Sequence, residues 1–148
     1  MVSKGTRGVV KEKKDGWSYI QWDFNKKKGW STVMEIQWEQ SGITYTGLLL
    51  LYPNNTGCFK VKYFYGSWIW CYQDARLTST RDVFGNVTSY INCYNPKCAL
   101  PYAADNFVIY PNGNMYTQDA AGNWSTLIQA VIIDPRYWAI KKNEYGLR

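Results

Sequence analysis

An alternating pattern at residues 30–52 limits the fold of this chain more than any other feature of the sequence. From Trp30 to Trp38 every second residue is large and mostly apolar, and the residues between them are mostly polar. A side-chain period of two is typical of a β-strand with one buried face. Turn residues at 39–42 separate this run from a second apolar run at 43–52. The pattern therefore predicts an antiparallel hairpin.

Short β-favouring runs separated by turn residues recur along the rest of the chain. The further strands predicted are at residues 16–24, 58–65, 68–77, 87–94, 106–110, 115–118, 124–133 and 137–141. Because no long apolar run has a helical period, we expect no helix. The sequence predicts an all-β fold of about ten strands, either an antiparallel meandering β-barrel or a β-sandwich. Residues 1–15 are assigned to a basic N-terminal arm and residues 16–148 to a single all-β domain.

The strand at Leu48–Leu51 differs from the others because it is apolar on both faces. A strand with one solvated face would alternate with polar residues. Either a second layer of the same domain covers the outer face, or that face meets another copy of the chain. In the second case Leu48 and Leu50 are interface residues and the protein is a homo-oligomer.

Aromatic residues make up 18% of the chain, with 8 Trp and 13 Tyr, and they suggest a binding role. Most aromatic side chains in a small domain fill its core, but so many predict some exposure. Alternate positions on one strand face could stack against sugar rings, and an inward-facing set could enclose a small apolar ligand. The candidate ligand-binding residues are Trp68, Trp70, Tyr72, Trp30 and Trp38, with Met34 and Ile36 beside the last two on the inward face.

The formal net charge of +6 is concentrated at the N-terminus, where residues 1–28 hold eight basic and three acidic residues. A basic segment beside aromatic platforms can bind single-stranded nucleic acid. The lysines would come from 26–28 and from Lys60 and Lys62, and the platforms would be Trp17, Tyr63 and Tyr65. No nucleic-acid motif is present. Nucleic acid is therefore a less favoured partner that the basic N-terminal region leaves open.

The chain contains no histidine. Ser-His-Asp, Cys-His and His-metal sites cannot be built within one chain that lacks histidine. Among the carboxylates, Glu35 and Glu39 share the outward face of one strand, about 13 Å apart at ~3.3 Å per residue. That separation is too long for either geometry of glycoside hydrolysis. We expect a non-enzymatic protein with no cofactor and no metal.

Four cysteines, Cys58, Cys71, Cys93 and Cys98, allow three disulfide connectivities. Cys93 and Cys98 flank a turn-prone stretch, which would leave Cys58 and Cys71 to pair across neighbouring strands. Free buried thiols are the alternative, and a zinc site lacks the usual Cys-x2-Cys spacing. The cysteines favour an extracellular or periplasmic location, as do turn sequons at Asn54, Asn86 and Asn123. Residues 1–16 do not resemble a signal peptide, and no apolar run is long enough to span a membrane.

One pair of turns has similar sequences. Residues 82–88 read Asp-Val-Phe-Gly-Asn-Val-Thr, and residues 119–125 read Asp-Ala-Ala-Gly-Asn-Trp-Ser. A second resemblance joins residues 51–55 and 109–113, but its spacing differs from that of the first. A true repeat would have one period. We interpret both resemblances as reuse of the same turn.

These observations favour a binding module whose exposed aromatic residues recognise a ligand. A glycan is the preferred ligand, ahead of a small apolar molecule enclosed by a barrel. The alternative is a structural or self-assembling subunit that packs through Leu48–Leu51 and its aromatic surfaces.

Overall fold

Residues 31–147, the part of the chain that the computed structural model describes, form a closed barrel of eight strands. The strands are β1 (Thr32–Gln40), β2 (Ile43–Leu51), β3 (Thr56–Phe64), β4 (Trp68–Arg81), β5 (Val87–Cys98), β6 (Asn106–Ile109), β7 (Met115–Gln118) and β8 (Trp124–Ile132). Each strand is antiparallel to the next, and β1 also pairs with β8. The predicted all-β antiparallel fold is confirmed and is a barrel rather than a sandwich, with eight strands in the described residues, where nine were predicted. The predicted arm at 1–15 and strand at 16–24 lie outside the described residues.

The predicted first hairpin is confirmed, and its register runs unbroken from Thr32 opposite Leu51 to Gln40 opposite Ile43. The two-residue turn has positive φ at both positions, 52° at Ser41 and 78° at Gly42. Two positive φ values match the right-handed twist of paired strands and favour glycine. The turn therefore holds the register that places the alternating residues of β1 on opposite faces.

Inward-facing side chains fill the barrel. Met34, Ile36 and Trp38 all point inward, as the alternation predicts, and are buried. The same cluster also contains Leu49, Leu51, Phe59, Val61, Cys71, Ala75, Leu77, Ile91, Cys93, Phe107, Ile109, Met115 and Ile128. Phe59 and Phe107 meet edge to face, with 5.1 Å between ring centroids. Aromatic packing thus joins β3 and β6, two strands that are not neighbours in the sheet, across the interior of the barrel.

The Leu48–Leu51 segment is covered on both faces by this same chain. Leu49 and Leu51 belong to the interior cluster, whereas Leu48 and Leu50 face outward and pack in a second cluster with Ile133. The other members of that cluster are Val33, Cys58 and Tyr145, with Trp70, Tyr72, Trp138 and Leu147 against it. Leu48 is 0% exposed and Leu50 is 2% exposed. Their assignment as interface residues is therefore wrong, because the C-terminal segment already covers them.

The C-terminal segment is helical, so the strand predicted at 137–141 is wrong. A 3-10 turn at Pro135–Tyr137 leads into helix α1 (Trp138–Glu144). Asp134 caps the turn by accepting a hydrogen bond from Arg136 N, and Pro135 occupies the first turn. An acidic cap followed by proline is a helix-start signal as well as a strand break. No helix within residues 31–147 is long and apolar enough to cross a membrane.

The structure pairs Cys71 with Cys98 and leaves Cys58 and Cys93 as buried free thiols. Cys71 and Cys98 are direct partners in the β4–β5 register. The predicted Cys93–Cys98 pair is wrong because both residues lie on β5, about 16 Å apart along an extended strand. The predicted Cys58–Cys71 pair is wrong because Cys58 packs in the outer cluster and Cys71 in the interior.

We expect peptide mapping without reduction to recover one linked pair, Cys71 with Cys98. Cys58 and Cys93 should react with iodoacetamide only after denaturation, because both thiols are buried and burial raises the pKa of each. Tandem mass spectrometry of alkylated native and unfolded protein would check both statements. A Cys93–Cys98 link in the native protein would contradict the register of β5.

We expect Gly47→Ala to destabilise the barrel by about 1–3 kcal/mol, the usual cost of overpacking a core. A Cβ at Gly47 would collide with the ring of Phe59, which packs against Trp38 and Phe107. Urea unfolding would measure the change in the free energy of unfolding. Thr44→Ala, at an exposed position on the same strand, is the control and should change it by less than about 0.5 kcal/mol.

Candidate functional site

Trp68, Trp70 and Tyr72 lie in a row on the outer face of β4, because Ile69 and Cys71 between them point inward and are buried. The first of the three is the most exposed. Trp68 is 61% exposed, whereas Trp70 and Tyr72 are partly buried against the C-terminal segment. The predicted row therefore exists, but only its first member presents most of its surface to solvent.

Lysine side chains from β3 and a tyrosine from the C-terminal segment surround this row. We call Lys60, Lys62, Trp68, Trp70 and Tyr145 the aromatic–lysine face. Lys62 Nζ lies 5.7 Å from the ring centroid of Trp68, 5.5 Å from that of Trp70 and 5.3 Å from that of Tyr145. Lys60 Nζ lies 5.3 Å from the Trp70 centroid. These are cation–π distances, so the two lysines and the rings hold one another in place.

Antiparallel register explains why these residues meet. Lys62 is directly opposite Trp70, and Phe64 is directly opposite Trp68. Directly opposed side chains on one sheet face are neighbours. The rings of Phe64 and Trp68 accordingly meet edge to face, with 5.4 Å between centroids. Phe64, Trp68 and the neighbouring Tyr65 are all largely exposed, so they form an apolar surface beside the lysines.

Tyr145 is fixed to the barrel by Glu35 on β1. Its hydroxyl donates a 2.6 Å hydrogen bond to Glu35 Oε2, and Lys141 Nζ lies 2.9 Å from Glu35 Oε1. Burial alone would raise the pKa of Glu35, but the bonds from Tyr145 and Lys141 lower it below its ordinary value. Burial and the bond to Glu35 raise the pKa of Tyr145. The carboxylate therefore stays ionised and holds the C-terminal segment.

Tyr145 was not among the predicted site residues, although its sequence context contains a helix signal. Trp138, Lys141, Lys142 and Tyr145 follow the spacing i, i+3, i+4 and i+7 of one helix face. The run was too short to outweigh the strand interpretation. The spacing nevertheless places Trp138 and Tyr145 against the barrel and Lys141 beside Glu35.

Tyr72 contributes to packing more than to the exposed surface. It contacts the buried thiol of Cys58, which also contacts Tyr52. Burial and this thiol raise the pKa of Tyr72 to about 12. Tyr72 therefore links the row on β4 to the outer cluster beneath the C-terminal segment.

Trp38 and Trp30 are not part of the aromatic–lysine face. Trp38 is 4% exposed inside the barrel, stacked on Tyr45 with 5.3 Å between ring centroids. The indole Nε1 of Trp38 is buried and has no hydrogen-bond partner. No other buried side-chain nitrogen or oxygen within residues 31–147 lacks a partner. Trp30 lies outside the described residues, as do Trp17 and the lysines at 26–28.

A polar network that was not predicted from the sequence crosses one end of the barrel. Gln73 Nε2 donates a 2.7 Å hydrogen bond to Asp105 Oδ2, and Asp105 N donates a 2.8 Å bond to Gln73 Oε1. The Tyr102 hydroxyl donates to both Asp105 oxygens, and its ring stacks on Tyr63. Gln73 shares the inward face of β4 with Ile69, Cys71 and Ala75. A polar residue in this alternating apolar set is the sequence feature that could have predicted a buried polar contact.

Burial raises the pKa of Asp105 to about 6, although the hydrogen bonds from Gln73 and Tyr102 act in the opposite direction. Burial and the nearby carboxyl also raise the pKa of Tyr102. Tyr63, predicted as a platform for nucleic acid, is buried in this region. The network holds the loop at 99–105 over the end of the barrel through Asp105.

The described residues contain no group of three or more His, Cys, Asp or Glu side chains that could hold a metal ion. Comparison of the chain with protein-family models, with curated proteins and with solved structures gives no match.

We expect Asp105 to make the protein less stable as the pH rises from about 4 to above 6. The pKa of Asp105 is raised in the folded protein, so the folded state holds this proton more tightly than the unfolded chain does. The resulting contribution to the free energy of unfolding is fully present below the pKa of Asp105 in the unfolded chain. It is lost as the pH rises through the pKa of Asp105 in the folded protein. A shift of about two units corresponds to about 3 kcal/mol. Urea unfolding of the wild type and of Asp105→Asn across this range would measure the difference.

The pKa values of Glu35, Asp82 and Asp119 are lowered in the folded protein. These carboxylates therefore make the free energy of unfolding increase with pH, at lower pH than the decrease caused by Asp105. Subtracting the free energy of unfolding of Asp105→Asn from that of the wild type at each pH cancels the contribution of these three carboxylates, which both proteins share. A difference that stays constant from pH 4 to pH 7 would show that Asp105 does not titrate in this range.

Proposed function

We propose that this protein is a non-enzymatic binding protein that recognises carbohydrate at the aromatic–lysine face. The observation that carries the proposal is Trp68, a tryptophan held 61% exposed in a regular strand. The negative face of an aromatic ring attracts the C–H groups of a sugar ring, and a large ring provides apolar contact area at little entropic cost.

The surroundings of Trp68 favour binding because they fix the ring without covering it. Phe64 contacts it edge to face, and Lys62 lies 5.7 Å from its centroid. Both neighbours stand on β3, paired to β4 in continuous register. A side chain that is already ordered loses less conformational entropy when a ligand binds.

The two lysines favour a glycan that carries carboxylate or sulfate groups. Lys60 and Lys62 place two ammonium groups beside the tryptophans, whereas Glu35, the carboxylate nearest Tyr145, is already engaged by Lys141. An anionic sugar could therefore stack on Trp68 and pair with Lys62 at once. Such pairing weakens with salt because exposed charges are screened.

The alternatives have less support from the described residues. An enclosed apolar ligand would have to displace side chains that fill the barrel, and Trp38 stacks on Tyr45 within that interior. A strand of nucleic acid needs successive platforms, and Tyr63 is buried. Assembly through Leu48 and Leu50 would require the C-terminal segment to move away.

We expect Trp68→Ala to weaken glycan binding about tenfold or more, because the stacking surface is lost. Intrinsic fluorescence and isothermal calorimetry would be measured with a panel of neutral, uronic-acid and sulfated oligosaccharides. Tyr137→Ala is the matched control, since Tyr137 is another exposed aromatic residue with a cation, Arg136, 5.4 Å from its ring centroid. The control should bind as the wild type does.

Lys62→Gln tests the acidic part of the proposal. It should weaken binding of acidic oligosaccharides and leave neutral ones unchanged, and the wild-type affinity for acidic ligands should fall with added salt. No response to any member of the panel, or equal affinity in Trp68→Ala and wild type, would contradict carbohydrate binding at this face.

A further inference from the structure

One side of the barrel wall is built without charged residues. The part of β5 from Ser89 to Asn92, together with β6, β7 and β8, contains no Asp, Glu, Lys or Arg. β1, β3 and β4 each contain charged residues, among them Glu35, Lys60 and Asp74. In the closed order of eight strands, β7 lies opposite β3. The uncharged side is therefore across the barrel from the lysines of the aromatic–lysine face.

A row of apolar and aromatic side chains crosses the outside of these uncharged strands. Tyr90 on β5 is directly opposite Val108 on β6, and Val108 is directly opposite Tyr116 on β7. Leu127 on β8 is opposite Tyr116 and continues the row. Val108 lies between two inward-facing core residues, so it faces outward, yet it is 0% exposed. The flanking side chains therefore cover it and form a continuous platform, which remains partly open to solvent.

A second row, of amide side chains, runs beside the first. Asn92 is directly opposite Asn106, and Asn106 Nδ2 donates a 3.2 Å hydrogen bond to Gln118 Oε1. Gln118 Nε2 in turn donates a 3.0 Å bond to Gly122 O. These bonds orient two of the amides, and the third, Asn92, is exposed. Each amide lies two residues along its strand from a member of the apolar row, so both rows share one face.

Trp124 ends the amide row on β8 because the strand pairing is irregular there. Thr117 is opposite Thr126, but Gln118 is opposite Trp124, so β8 contains one extra residue. A bulge of this kind re-aims the side chains that follow it, and it places Trp124 on the same face as Gln118. The Trp124 ring lies 6.2 Å from the Tyr90 ring, centroid to centroid. We call the apolar row, the amide row and Trp124 the neutral face.

The carboxylate nearest to this face along the chain is already used within its own turn. Asp119 follows Gln118, and its Oδ1 accepts hydrogen bonds from Ala121 N and Asn123 N, both at 2.9 Å. Its Oδ2 accepts a 3.1 Å bond from Ser125 Oγ. The neutral face is therefore uncharged on its strands and lies next to a carboxylate that is held by its turn.

The chemistry of the neutral face suits an uncharged sugar chain. Amide groups both donate and accept hydrogen bonds, as sugar hydroxyls do, and aromatic rings attract the C–H groups of a sugar. A charged ligand would find no opposite charge on these strands, and covering an unpaired charge is costly. Trp124 and Tyr90 already contact each other, so little side-chain entropy is lost on binding.

The size of the neutral face argues against a second copy of the chain. The two rows cross four strands and extend over about four residues of each, which is roughly 200 Å² at strand spacings of about 4.8 Å and about 3.3 Å per residue. A stable protein interface buries about 800 Å² on each partner. The neutral face supplies only a fraction of that area, whereas a few sugar units would cover it.

We infer that the neutral face is a second glycan site, one that takes an uncharged oligosaccharide. A sugar ring stacks on Trp124 and Tyr90, and its hydroxyls bond to the amides of Asn92 and Asn106. The site lies across the barrel from the aromatic–lysine face, so the two act independently. The inference does not rest on binding at the aromatic–lysine face.

Binding in a Trp68→Ala background tests this inference, because that change removes the stacking surface of the other site. The probes are neutral hexasaccharides of glucose, xylose, mannose and N-acetylglucosamine, measured by isothermal calorimetry. Trp68→Ala should bind at least one probe, with an affinity that does not change with salt, since no charge pair is involved. Adding Trp124→Ala should weaken this binding about tenfold or more.

An exposed amide provides a second variant that leaves the packing intact. Asn92→Ala in the Trp68→Ala background should weaken neutral binding about fivefold, the usual effect of losing one hydrogen bond. Asn143→Ala is the matched control, because Asn143 is an exposed amide on α1. It should bind as the Trp68→Ala parent does. Trp124→Ala alone should bind acidic oligosaccharides as the wild type does, which separates this site from the aromatic–lysine face.

Four results would overturn the inference. Loss of neutral binding in Trp68→Ala itself would place all glycan binding at the aromatic–lysine face. Undiminished neutral binding after both Trp124→Ala and Asn92→Ala would place it elsewhere on the barrel. Absence of neutral binding by the wild type would exclude a glycan at this face. Light scattering that shows a wild-type dimer, and a monomer for Leu127→Glu, would identify a second copy as the occupant.

Discussion

The pairing of β1 with β8 is the contact on which the rest of the structure depends. Four residue pairs, from Met34 opposite Ile132 to Gln37 opposite Gln129, join the first described strand to the last. This closure removes both edges of the sheet and gives every strand one inward and one outward face. Met34, Ile36 and Trp38 enter the core, and Glu35 between them faces the C-terminal segment. The aromatic–lysine face is built on the outward-facing residues that this closure leaves outside the core.

The C-terminal segment turns part of the outer wall into a structured surface. Ile133 and Tyr145 cover Leu48 and Leu50, which explains why that strand is apolar on both faces. The same Tyr145 contacts Lys62 and Trp70, and Glu35 holds it through a 2.6 Å hydrogen bond. One side chain therefore stabilises the fold and completes the aromatic–lysine face, so its loss would affect both.

β4 brings three different environments onto a single strand. Its inward residues include Gln73, which binds the buried Asp105, and its outward residues include Trp68. Its far end leads into the turn that presents Val83 and Phe84. Because β4 is 14 residues long, Trp68 and this turn lie at opposite ends of the strand. Alternation of side chains and strand length are the physical basis of this separation.

The sequence by itself determined the all-β class, the first hairpin, the inward positions of β1 and the row at Trp68, Trp70 and Tyr72, because a period of two and turn residues are local properties. Only the tertiary structure decided that Cys71 pairs with Cys98, that Tyr145 lies over Trp70, and that Gln73 meets Asp105. These contacts join residues 27 or more positions apart. They depend on strand register and on closure, which no local pattern encodes.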